Sequence, residues 1–189
     1  MINKVLFFLF LLFLPAQFGK HFFLDFSYLS GVRVDYLAPT VYLIDIFVFL
    51  LAIVNLKIVL KFFRNKKLLV SLFLLLINVL FSHLPVISLY WFIKIIGFLI
   101  GVSLAKKIIV TLKEKLILIT LLLSGLFELI LSIIQLVNKH SVQGIFYYFG
   151  ERLLTLSTPG VAKASIQGIE FLRPYGTFSH PNSMAGFFL

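Results

Sequence analysis

Arg173, Tyr175, Thr177, His180 and Asn182 fall within ten residues, in the stretch Leu172-Arg173-Pro174-Tyr175-Gly176-Thr177-Phe178-Ser179-His180-Pro181-Asn182. That stretch runs directly into the apolar residues Ser183 to Leu189. Polar groups set where a hydrophobic segment meets water are costly unless they bind or react. The planar guanidinium of Arg173 can hold phosphate oxygens through two parallel hydrogen bonds. Gly176 permits close backbone approach or a positive φ. Pro181 suits the first turn of a helix whose start, at Asn182, would offer free N–H groups and a positive dipole end to an anion. His180 adds a hydrogen-bonding group at that helix mouth, and Tyr175 a ring that could stack on a sugar or a lipid. The same residue types also read as an interfacial Arg/Tyr anchor followed by an ordinary Asn cap. Residue chemistry alone leaves these two readings level.

The elements around this stretch are apolar. Of 189 residues 61% are hydrophobic, 23 are Phe, and only 13% are charged. A soluble domain needs more polar surface than this. The apolar runs approach the roughly 20 residues that span a bilayer as a helix. They do not alternate as strands of a transmembrane barrel would. The expected fold is therefore all-α, a polytopic transmembrane helical bundle with about five full spans and the start of a sixth.

In order, the runs are Val5 to Phe18, Pro39 to Leu60, Leu68 to Leu84, Val86 to Ala105 and Leu116 to Val137. The first resembles a signal peptide in length, but Pro15-Ala16-Gln17-Phe18-Gly19 offers no small-x-small cleavage site, so an uncleaved helix is expected. The predicted organisation is a five-helix membrane region over 1–137, an outer loop over 138–181 and a sixth helix opening over 182–189. The aromatic start of the loop, Ile145-Phe146-Tyr147-Tyr148-Phe149, suggests a piece lying at the lipid–water interface.

Nine of the 17 Lys and Arg lie near the N-terminus (Lys4) and in two short loops (Lys61, Arg64, Lys66, Lys67; Lys106, Lys107, Lys113, Lys115). The positive-inside rule then puts the N-terminus in the cytoplasm and the loops after the first, third and fifth helices outside. The net charge of +10 is thereby read as topology signal and contact with anionic membrane lipids, not as a nucleic-acid surface. With no cysteine there is no disulfide framework.

Asp45, Lys94 and Glu128 are ionisable residues inside predicted helices. They mark a polar cavity or ion path, or else pair within the bundle and reach its edge. His21, His83, His140 and His180 share no ligand spacing, so no metal site is expected, and no soluble-enzyme nucleophile or phosphate-loop motif is present.

Arg173-Pro174-Tyr175-Gly176-Thr177-Phe178-Ser179-His180-Pro181-Asn182 resembles the Arg…Gly-Thr-Phe-x-His-Pro-Asn signature of the O-antigen ligase and O-antigen polymerase-like membrane proteins. Asp35-Tyr36-Leu37-Ala38-Pro39-Thr40 and Phe149-Gly150-Glu151-Arg152 are similar to members of that family more weakly. The resemblance covers the N-terminal half of such a protein. It implies glycosyl transfer at the outer face of the bacterial cytoplasmic membrane by a multi-pass protein, without cofactor or metal. The implied donor is an undecaprenyl-diphosphate-linked glycan, and the acceptor is a hydroxyl of a lipid, a glycan or a protein. On this view Arg173 stabilises the departing diphosphate, with the helix start at Asn182 and Arg152 in support, His180 orienting and Tyr175 at the sugar or lipid. The general base of the family is a His of a later outer loop, beyond Leu189, so a truncated chain inactive on its own is expected. Two rivals stand beside this reading. One is a multipass transporter or flippase for lipid-linked glycans, which would carry paired charges on facing helices. The other is a non-catalytic membrane scaffold.

Overall fold

The computed structural model describes residues 2–34 and 37–189, with the side chains of Val32 and Arg33 excepted. Asp35 and Tyr36, which open one of the weaker resemblances, lie outside the described residues. The chain forms two compact units. One comprises Met1–Phe10 and Lys20–Lys113, the other Leu11–Gly19 and Glu114–Leu189. The last long helix thus groups with the polar stretch after it, and the units do not divide at Val137.

The first apolar run gives helix α1, Ile2–Leu12, and ends early. Pro15 lacks an N–H and disfavours helical geometry at Leu14, and the chain leaves through two tight turns, Leu14 N to Leu11 O and Ala16 N to Phe13 O. Short strands follow: β1 (Gly19–His21), β2 (Tyr28–Leu29), β3 (Val32–Arg33) and β4 (Thr40–Tyr42). Strands β2 and β3 form a hairpin with Tyr28 opposite Arg33, turned by Ser30 and Gly31, both at positive φ as a two-residue hairpin loop requires.

Helix α2, Leu43–Val54, starts where Asp45 Oδ2 accepts from the Tyr42 N–H at 2.7 Å. It stops at Asn55, and helix α3, Leu56–Phe62, leaves at 94°. The side chain of Asn55 explains the break. Its Nδ2 donates to Leu51 O at 2.8 Å and to Asn3 Oδ1 at 2.6 Å, while Asn3 Nδ2 returns a bond of 2.8 Å to Asn55 Oδ1. Helix α4, Lys66–Leu80, is capped by Asn65, whose Oδ1 accepts from the N–H groups of Lys67 and Leu68. Helix α5, Pro85–Ile109, has proline at its first position and Lys106 and Lys107 in its last turn, both favourable placements. Helices α2 and α5 run in the same direction. Tyr90 OH donates to Thr40 O, Lys94 pairs with Asp45, and Gly101 lies against Val48.

The second unit is built on helix α6, Glu114–Asn138. After it come a 3-10 helix over Gly144–Phe149, a hairpin of β5 (Lys163–Ile166) and β6 (Ile169–Leu172), and helix α7, Pro181–Phe188.

Two expectations are corrected here. Among the described residues only α5 and α6 are long and apolar enough to cross a membrane, or three spans if bent α2–α3 counts as one, not five with a sixth begun. The run Pro39 to Leu60 is a strand, a 12-residue helix and a crosswise helix, and α4 has only 15 residues, about 22 Å. Nor is the chain all-α, because its described residues include three two-stranded sheets.

Candidate functional site: a loop held on the polar face of a membrane helix

Ser124, Glu128, Ser132 and Gln135 recur at intervals of four, four and three along α6, and with Leu131 they form its buried side. An apolar helix with one polar, buried stripe must bring hydrogen-bonding partners to it. Those partners are the backbone of the stretch singled out by residue type. Gln135 Oε1 accepts from the N–H groups of Tyr175 and Gly176 at 2.9 and 2.8 Å, and its Nε2 donates to Gly176 O at 3.0 Å. About two turns below, the Glu128 carboxylate accepts from the Thr177 N–H at 2.9 Å and from its hydroxyl at 2.6 Å. Glu128 and Thr177 are both fully buried. Ser124 Oγ donates to Leu12 O at 3.0 Å and Thr177 Oγ1 lies 3.1 Å from Pro15 O, so the chain after α1 closes the other side.

Gly176 is fixed by this arrangement. Its φ is +58°, and a Cβ there would collide with Glu128 Oε2 and crowd Met184 Sδ and Ser132 Oγ at 3.3 and 3.4 Å. No side chain fits between the loop and the carboxylate.

Gln135 also joins two segments that are distant in sequence. The same Nε2 that holds Gly176 O donates to Glu151 Oε1 at 2.7 Å. Glu151, 2% exposed, accepts in addition from the N–H groups of Val142 and Gln143, at 2.7 and 2.5 Å. Beside it Gly150 has φ +97°, and a Cβ there would lie 2.5 Å from the backbone of Gln17 and Phe18. The stretch Phe149-Gly150-Glu151-Arg152 is therefore tied to the Arg173–Asn182 stretch through one glutamine of α6.

Of the residues expected to bind, Arg173 follows β6, and its N–H extends the hairpin to Ala162 O at 3.1 Å. Its side chain is half-buried, as is that of Arg152. His180 caps α7. Its Nδ1 accepts from the Asn182 N–H at 3.1 Å, which places the ring proton on Nε2. Asn182 is exposed at the helix start.

Two roles expected from residue types change. Tyr175 is 5% exposed, its hydroxyl accepts from the Ala162 N–H at 2.7 Å, and its ring packs edge-on against His180. It is a support of the loop and has no open face to stack on a sugar or lipid. The Asn182 N–H, expected to face an anion, is taken by His180, and Ser183 N bonds His180 O at 3.0 Å. The helix start is capped from within. Among the described residues no group of three His, Asp or Glu is placed to hold a metal ion.

Residue types mark Glu128 only as an intramembrane charge and do not mark Gln135 or Glu151 as supports. The stripe Ser124, Glu128, Ser132, Gln135 was the available signal, because its spacing keeps four polar residues on one face of a greasy helix.

The depth of the site follows from α6. Its 25 residues make about 37 Å, against a hydrocarbon core of about 30 Å. Gln135 and Glu128 lie three and ten residues from its end, so the loop is held roughly 5–15 Å below the tip of the helix. The 3-10 helix sits at the same level. Phe146 and Phe149 meet Phe127 with ring centroids 6.2 and 5.1 Å apart, while Ile145, Tyr147 and Tyr148 point outward, 60–67% exposed.

Comparison with known protein families gave no matching family model, and comparisons with curated proteins and with solved structures gave no significant match.

Proposed function

We propose that the second unit binds the diphosphate of a lipid-linked glycan. The chain would belong to a membrane glycosyltransferase of the O-antigen ligase and polymerase type, multi-pass in a bacterial cytoplasmic membrane. The observation that carries this reading is the fit of Gly176 against Glu128 and Gln135, which makes Arg173 to Asn182 a shaped loop and not a tether. A loop rigidly held just beneath the membrane surface suits a substrate whose diphosphate lies at that surface while its prenyl tail stays in lipid. Arg173 is the cation at that loop. As an acceptor hydroxyl attacks the anomeric carbon, the glycosidic C–O bond to the diphosphate breaks, and a guanidinium at the leaving oxygens stabilises the charge that builds there. The His180 Nε2–H and the Asn182 side chain, next to each other at the start of α7, supply further donors, with Arg152 in support.

Binding tests this without requiring turnover. The full chain in nanodiscs, given an undecaprenyl-diphosphate-linked glycan, should retain it in native mass spectrometry. Arg173→Ala should weaken retention by roughly ten- to a hundred-fold, the scale of a charge-assisted hydrogen-bond pair, and Arg173→Lys by less. Equal retention by all three forms would remove Arg173 from the diphosphate.

The transporter reading is favoured by one observation, the Lys94–Asp45 ion pair between α5 and α2. Transport of a lipid-linked glycan across vesicles that is lost with Lys94→Met and kept with Arg173→Ala would select it.

A further inference from the structure

From Ile46 to Lys113 the chain has nine cationic residues and no acidic one. Lys94 is paired with Asp45. The other eight are all exposed, and the fold of the first unit gathers seven of them, Lys57, Lys61, Arg64, Lys66, Lys67, Lys106 and Lys107, at one end.

Helix α3 organises that end. It leaves α2 at 94° and crosses α5, with Val59 and Phe62 around a small gap lined also by Ile100, Ser103 and Leu104. These α5 residues lie 15–19 positions after Pro85, about 23–28 Å along the helix. For a span of about 30 Å, α3 therefore lies across the helix at the level where hydrocarbon gives way to headgroups. Lys106 and Lys107 come within the next turn of α5, and Lys66 and Lys67 begin α4, which packs on α5.

The side chains of α3 sort into three stripes. Val59 and Phe62 face α5. Leu56 and Leu60, one turn apart, are 56% and 57% exposed. Lys57 and Lys61, also one turn apart and each next to a leucine of that apolar stripe, are exposed too. A helix with a protein face, a bare apolar stripe and an adjoining cationic stripe matches the boundary of a membrane, with tails against the leucines and headgroups against the lysines.

From this juxtaposition we infer that α3 is an in-plane helix forming a binding platform for anionic phospholipid, with Lys57 and Lys61 at the headgroup phosphates and Lys66, Lys67, Lys106 and Lys107 completing the field. The apolar stripe beside the lysines assigns the ligand to the bilayer and not to a free phosphate, which has no use for Leu56 and Leu60. The inference is independent of the diphosphate reading of the second unit.

The test uses the full chain in vesicles, with Trp91→Phe removing its single tryptophan and Leu60→Trp as reporter. Fluorescence quenching by phosphatidylglycerol with brominated tails is compared with quenching by brominated phosphatidylcholine. Both should quench, with phosphatidylglycerol preferred about fivefold or more, the factor expected from about 1 kcal/mol per lysine at an anionic surface. The preference should fall toward unity with Lys57→Gln/Lys61→Gln and in 1 M salt, and persist with Lys57→Arg/Lys61→Arg. No preference in the parent, or a preference indifferent to both lysines, would overturn the inference. A reporter indole that neither lipid quenches would do so as well, since water or another protein would then cover α3.

Discussion

Two polar pairings inside apolar helices serve different ends in the two units. In the first, Asp45 and Lys94 satisfy each other. The lysine lies over the rings of Tyr42 and Tyr90, 4.9 and 5.4 Å from their centroids, and the carboxylate also caps α2. That arrangement fastens α2 to α5. In the second unit, Glu128 and Gln135 make hydrogen bonds not to an ion of opposite charge but to main-chain groups of residues 175–177. Backbone donors have fixed positions, so a side chain that binds several of them dictates the path of the chain. The difference teaches where to look for function. A closed ion pair joins helices, whereas a helix side chain bonded to the backbone of a distant loop shapes that loop.

Substitutions can sharpen or break this contrast. The largest effect is expected from Gln135→Leu, which strips the Tyr175 and Gly176 N–H groups, Gly176 O and Glu151 of their buried partner. At 1–3 kcal/mol for each buried group left unpaired, the loss should be roughly 4 kcal/mol, measured as unfolding in mixed micelles. Gly176→Ala should follow, at about 3 kcal/mol. Positive φ contributes roughly 1–2 kcal/mol of this, and displacement of the Glu128 carboxylate contributes the rest. Limited proteolysis should then cut within 150–180 in that variant and not in the parent. The smallest effect belongs to the ion pair, whose side chains are 20% and 37% exposed. Lys94→Met should cost about 1–2 kcal/mol, between the values for exposed and buried pairs. Combining it with Asp45→Asn should cost less than the sum of the two. If the ion pair proved more costly to break than the Gln135 contacts, the contrast drawn above would be wrong.

The helices were legible in the sequence as positions and misleading as lengths. Every apolar run contains a helix, because apolar side chains without strand alternation have few other options. Hydropathy, however, counts side chains and not backbone hydrogen bonds. It could not register that Asn55 would turn its amide onto Leu51 O and Asn3 and bend the chain, nor that Pro15 would end α1 three residues before it. The hairpins did leave a trace, in the X-Gly pairs Ser30-Gly31 and Gln167-Gly168 between short strand-forming segments, but the surrounding grease hides it. In the site, residue types pointed to Arg173 to Asn182, and Gly176 did prove to need its positive φ. Which of those residues face outward was beyond the sequence. Tyr175 and the Asn182 N–H look like ligand groups until their partners Ala162 and His180 are in place.

The most direct test is amide hydrogen exchange at Tyr175, Gly176 and Thr177 in the full chain in nanodiscs, with Gln135→Leu alongside. The account predicts exchange as slow as in the body of α6 for the parent. In the variant, Tyr175 and Gly176 should be faster by at least a hundred-fold. Amides 175–177 exchanging as fast as the exposed turn at Thr155–Ser157, or unchanged by the loss of Gln135, would contradict it.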